Sequence, residues 1–136
     1  MQGHPWRALR ALTHVDLVWR PMRGLLGRTD GNVITLHPHQ SQVQRRCTLQ
    51  HELVHHARGT VHGHDEAEER VVEQTAACML VPMPLLLDRL RWTRDLSELA
   101  DECWVDEPML MARLDAMSDV ERGMVADLAH EIEGGA

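Results

Sequence analysis

The sequence contains no phenylalanine, no tyrosine and no lysine; its aromatic residues are four tryptophans and every basic charge apart from histidine is arginine. A phenolic hydroxyl is therefore excluded from any catalytic role. Cysteine is scarce: Cys47, Cys78 and Cys103 are odd in number, far apart, and form no Cys-x-x-Cys pair. That pattern excludes a disulfide framework and argues against a thiolate zinc finger. Positive charge is also in deficit, the formal net charge being −7. Proteins that live on phosphate contacts are usually basic, so no direct nucleic-acid ligand is expected. No stretch approaches ~18 uninterrupted apolar residues, so no membrane span is expected. Met1 to Arg10 has no apolar run behind a basic start, which gives no signal peptide and leaves the cytoplasm as the expected location.

What is present is an ordinary composition for a single domain spanning 1–136, 43 % hydrophobic and 26 % charged, with neither repeat nor low-complexity linker. Pro5 to about Thr13 suggests a short helix through Trp6, Leu9 and Leu12. Three short runs follow, Val15–Arg20, Leu25–Arg28 and Val33–Leu36, with Thr29-Asp30-Gly31-Asn32 as a hairpin turn between the last two. They predict a small three-stranded antiparallel sheet. Ser41 to Arg58 reads as a long helix, with Ser41 and Gln44 as a capping box and Gly59 as the stop. Asp65 to Leu80 reads as a second, capped by Asp65 with Glu68 and ended by Pro82 and Pro84. Shorter helices are predicted at about 85–90, 96–102 and 107–117, and Ser118 with Glu121 opens a last one. The expected fold is α+β: a sheet and a helix pair over about 15–82, then a helical C-terminal part over about 84–136.

The chemistry lies in His51-Glu52-Leu53-Val54-His55. Histidines four apart on a helix project from one face, and both imidazoles can reach one zinc ion at about 2.0–2.1 Å. Glu52 is about 60° around the helix from His55, beside the metal rather than on it. There it can act as the general base for a water whose proton the metal has made acidic. Chance would produce the pattern about 0.06 times in a chain with this His and Glu content. A hydrolytic zinc site needs a third protein ligand and an open position. Glu66, Glu69 and Glu73 on the next helix share one stripe, and spacing does not choose among them.

The run His51-Glu52-Leu53-Val54-His55-His56, followed by Glu69-x-x-Val72-x-x-Thr75-Ala76-Ala77-Cys78-Met79-Leu80-Val81-Pro82, resembles the ImmA/IrrE family of metallopeptidases. The tail from Asp95 through Val105 to Leu114 resembles that family's helical segment after the active site, so the likeness covers roughly residues 15 to 115. The resemblance implies a zinc-dependent endopeptidase with His51, His55 and Glu69 as metal ligands and Glu52 as the catalytic base. It also implies a protein substrate of the kind the family often cleaves, a helix-turn-helix transcriptional repressor in a phage, mobile-element or stress-response system. Two departures stand out: the family's Phe is Thr75 here and its small Ala is Val72. With no tyrosine to bind an oxyanion, the candidate donors are His62, His64 and Arg70 or backbone N–H groups.

Rival readings are weaker on chemical grounds. His62 could replace Glu69 as third ligand in a His-Glu-x-x-His-x-x-Gly-x-x-His scheme, but Gly59 and His62 each fall one residue late. Cys47, His51 and His55 form an i, i+4, i+8 ladder, yet one ion spans about one turn and the ladder spans two. The pairs His37/His39 and His62/His64 read as solvated loop histidines. Leu96–Leu114 could pass for a helix-turn-helix, except that its second helix carries Glu107, Met109, Leu110 and Met111 with only Arg113 basic. A non-catalytic zinc module, or an anti-repressor acting by binding, would have no use for Glu52. Substrate, scissile bond, inducing signal and oligomeric state stay open at this level.

Overall fold

The computed structural model describes residues 2–60 and 65–134. Helix α1 (Pro5–Ala11) leads into strands β1 (Asp16–Trp19), β2 (Gly27–Asp30) and β3 (Val33–Leu36). Helices α2 (Gln42–Arg58), α3 (Glu66–Leu80), α4 (Met83–Leu90), α5 (Leu96–Glu102), α6 (Glu107–Asp115) and α7 (Asp119–Gly134) follow. The α+β class and the order of elements agree with the sequence reading. Among the described residues no single helix is long and apolar enough to cross a membrane.

The sheet departs from that reading. Its strand order is β1-β3-β2, and β1 pairs with β3 in parallel, Asp16 opposite Val33 and Trp19 opposite Leu36. Only β2 and β3 form the expected antiparallel hairpin, closed by Gly31 at φ 59, a left-handed conformation that glycine adopts without steric cost. The sheet is therefore mixed, not antiparallel throughout. The reason lies in the connection: residues 20–26 are too long for a tight hairpin and carry the chain across, leaving the β1-facing edge of β3 open for parallel pairing. Alternation within each strand is the same in either arrangement, so sequence pattern does not distinguish them.

Helix α2 is the centre of the fold. Its N-terminus carries the full capping box, with the Ser41 hydroxyl accepting from the Gln44 N–H and the Gln44 side chain accepting from the Ser41 N–H. Gly59 ends it at φ 71. Every residue from Leu49 to His55 is buried, because two layers pack on opposite sides of the helix. Leu49 and Leu53 join Leu9, Ile34 and Leu36 on the sheet side. Cys47 and Val54 join Val72, Ala76, Leu80, Leu99, Val105, Met109 and Leu110 on the helical side. Each fully buried aliphatic side chain contributes about 1.5–3 kcal/mol, so α2 is fixed by apolar contact on both flanks. His51 and His55 then meet Glu69 in the seam toward α3.

The C-terminal helices brace that seam. Met109, Leu110 and Arg113 of α6 are buried, whereas Glu107 and Met111 are exposed. Arg113 is the bracket: its Nε donates to the Val81 carbonyl at 2.6 Å and its guanidinium pairs with Glu121 at 2.8 Å. Glu121 in turn caps α7, exchanging hydrogen bonds with Ser118. Trp104 closes α5 at φ 60, strained for a bulky residue, and Arg46 of α2 donates to its carbonyl at 2.6 Å. Replacing Arg113 by Ala leaves a buried carbonyl unsatisfied and should lower the unfolding free energy by about 2–3 kcal/mol in urea titrations. A loss below about 0.5 kcal/mol, the size expected of an ordinary surface change, would contradict this bracket.

Candidate metal centre

Three side chains meet in the seam between α2 and α3. His51 Nε2 lies 3.0 Å and His55 Nε2 lies 2.8 Å from the same oxygen, Glu69 Oε2. His51 is 9 % exposed and His55 fully buried. Glu69 comes from the N-terminal half of the α3 stripe whose C-terminal half, Val72, Ala76, Ala77 and Leu80, is core. The same periodicity that seats α3 on the core therefore aims Glu69 at the two imidazoles. Glu66, at the start of the helix, is exposed. Of the acids that spacing alone left open, Glu69 is the one whose oxygen meets both imidazoles.

Each imidazole is oriented from its far side. Thr60 Oγ1 sits 2.9 Å from His55 Nδ1, and Glu73 Oε1 sits 3.4 Å from His51 Nδ1. Glu73 Oε1 is buried without a hydrogen-bond partner among the described residues, so its attraction to the His51 ring offsets part of its burial. With Nδ1 as the protonated nitrogen in both rings, both Nε2 atoms present lone pairs to the space at Glu69. Burial alone would lower the His51 pKa; Glu73 foremost, then Glu52 and Glu69, outweigh it and raise it above the ordinary value.

These donors fit a divalent cation. One nitrogen from each histidine and one Glu69 oxygen lie within 4.8 Å of one another, and the three residues could hold a metal ion. Donors at about 2.0–2.1 Å in a tetrahedron are about 3.3 Å apart, so separations of 3.0 and 2.8 Å need open only slightly. Charge argues the same way. Glu52, Glu73 and Asp106 line an adjoining cleft of about 270 Å³ together with His51, and no arginine lines it among the described residues. Carboxylates gathered in a partly dry site call for a compensating positive charge.

Cys47 lines the adjoining cleft but is not among the three converging donors. It lies in the core and its pKa is raised to about 12, by burial first and Asp106 next. His37 and His39 contact each other in a loop, Nδ1 of His37 accepting from the His39 N–H at 3.1 Å. Arg70 is exposed. His62 and His64, the other oxyanion candidates, lie outside the described residues. Thr75 points outward with its hydroxyl donating to the Val71 carbonyl at 2.7 Å, so a smaller residue there takes nothing from the packing behind Glu69.

Glu52 is fully buried on the sheet side of α2. The Thr29 hydroxyl of β2 lies 2.9 Å from its Oε1 and 3.0 Å from its carbonyl oxygen. Neither Thr29 nor Thr60 was legible as a site residue. Thr29 sits at an inward position of a short strand, and only the pairing of strand with helix brings it to Glu52.

Residues 13–115 match the family model for the IrrE N-terminal-like domain, a peptidase family. The chain belongs to that family. No curated protein and no solved structure matches it. Membership brings a metallopeptidase class to a chain whose three convergent donors could hold the metal.

Two outcomes follow for metal binding. Changing His51, His55 or Glu69 to Ala should each abolish tight binding, whereas Glu73→Gln should retain metal with about 10- to 100-fold lower affinity; elemental analysis and chelator competition separate them. The raised His51 pKa has a sign. A proton competes with the metal to a pH above the ordinary value of about 6.5, so affinity should climb as pH rises through that raised value and fall below it. A flat affinity between about pH 6 and 8 would contradict the assignment of His51 as a ligand.

Proposed function

We propose that this chain is a zinc-dependent endopeptidase in which His51, His55 and Glu69 hold the ion and Glu52 is the general base. The observation that carries the reading is the place of Glu52: adjacent in sequence to the first ligand, fully buried, and lining the same cleft as His51. A site built only to hold metal has no need of a buried carboxylate beside it, whose desolvation is costly. Two imidazoles with one carboxylate suit zinc, which supplies Lewis-acid polarisation of the carbonyl and of the attacking water when bound.

The chain's own groups supply the rest. Glu52 accepts a proton from the attacking water and delivers it to the departing amine nitrogen. Glu73 and Thr60 meet the two rings at Nδ1, so that Nε2 would face a bound ion. The cleft runs between Leu25, Leu26 and Gly27 on one side and Pro108 and Met109 on the other. Strand β2 is an edge of the sheet. The Leu26 carbonyl accepts from the N–H of His37, the residue after β3, which sets the phase of the ladder. The backbone N–H and C=O of Gly27 and Thr29 then face away from β3, where an extended polypeptide can pair with them.

The substrate we assign is a protein, and specifically a helix-turn-helix repressor. That assignment is supported by the likeness of the sequence to the ImmA/IrrE family and by an edge strand suited to an extended segment. The test is incubation of zinc-loaded protein with a repressor encoded beside its gene, with fragments read by mass spectrometry. Fragments should appear with the wild type and fall by about 10²–10⁴ in rate with Glu52→Gln, which should keep its zinc. Cleavage by Glu52→Gln at the wild-type rate would remove Glu52 as base, and an intact repressor would remove the substrate.

A further inference from the structure

We propose that Thr29 is a positioning residue for Glu52, aiming the carboxylate from the edge strand β2 against which a substrate would lie. The proposal rests on the peptidase reading above. A glutamate has three side-chain torsions, and a base helps only if its oxygen is held where the proton will be. Helix α2 fixes the Glu52 backbone but not its side chain. Thr29 contributes at one oxygen: it is 2 % exposed and its hydroxyl stands 2.9 Å from Oε1. A hydroxyl has one hydrogen to give, and a charged carboxylate oxygen is a stronger acceptor than the peptide carbonyl 3.0 Å away.

Holding Oε1 determines where Oε2 goes. Oε2 lies on the side of Gly27, where an added Cβ would come within 3.1 Å of Oε2, 3.0 Å of Glu52 Cγ and 2.5 Å of Thr48 Cγ2. Gly27 and Glu52 both line the cleft that His51 also lines. The absent side chain at position 27 lets β2 approach α2 closely enough for the Thr29 hydroxyl to reach, two residues along the same inward face. The strand that can pair with a peptide is thus tied to the group that would act on it. A shift of β2 by a few tenths of an ångström would move both together.

The test compares Thr29→Val, which keeps the shape and removes the hydroxyl, with Thr29→Ser, which keeps the hydroxyl. Zinc content is read by elemental analysis, and acetohydroxamate, a small metal chelator whose proton a neighbouring base can hold, is titrated calorimetrically. Thr29→Val should keep about one zinc but bind acetohydroxamate about 10- to 100-fold more weakly, and Thr29→Ser should recover affinity to within about 3-fold. Equal affinity for Thr29→Val and wild type, or equal weakness of Val and Ser, overturns the proposal. A second readout needs no metal. In metal-free protein, the changes in Tm from Thr29→Val and Glu52→Gln should be non-additive in the double variant; additive changes overturn the link. Failure of the peptidase reading looks different: wild type then takes up no zinc while the non-additivity persists.

Discussion

The structure turns on a single carboxylate oxygen, Glu69 Oε2, which two imidazoles from another helix approach to 3.0 and 2.8 Å. For that meeting to occur, α2 and α3 must cross at one height and in one rotation. Neither helix can choose that geometry alone. Alanines at 76 and 77 in the buried stripe of α3 allow close approach, and the apolar layer from α5 and α6 presses α3 into place. Arg113, tying the end of α3 to α7 through Val81 and Glu121, keeps the far end of that layer closed. Beyond α2, the bidentate pair of Arg58 with Glu68, at 2.6 and 2.7 Å, links the two helices across the loop. It is solvent-exposed, so its contribution is small beside that of the core.

The sheet-facing flank of α2 answers a different demand. A base must be dry enough to be effective yet held in one orientation, and burying a carboxylate is costly unless its oxygens are bonded. The sheet meets this with one hydroxyl and one missing side chain, at Thr29 and Gly27. The cleft then has two unlike walls, a peptide edge from β2 and the start of α6, where Asp106 caps the helix by accepting from the Met109 N–H at 2.9 Å. Glu52 stands about 100° around α2 from His51 and about 60° from His55, so it borders the sheet while still lining the cleft that His51 lines.

Much of this was legible in the residues. Both ends of α2 were marked by Ser41, Gln44 and Gly59, because caps are local chemistry. His51, Glu52 and His55 were marked by helical spacing, and family likeness selected Glu69 where spacing left three acids open. The parallel pairing of β1 with β3 was hidden, since side-chain alternation is blind to strand order. Thr29, Thr60 and the tilt of Glu73 toward His51 were hidden for another reason: each acts across elements distant in sequence, and nothing in its own neighbourhood sets it apart. Arg113 illustrates the reverse error available to sequence reading. It looks like the lone basic contact of a DNA-reading helix, and it is a buried internal strut.

The most direct measurement of the central claim is X-ray absorption at the zinc edge on protein loaded with about one equivalent of zinc. The account predicts a first shell of nitrogen and oxygen at about 2.0–2.1 Å, with outer scattering from two imidazoles and no sulfur. A sulfur scatterer at about 2.3 Å, a third imidazole in place of the carboxylate, or no stoichiometric zinc would contradict it.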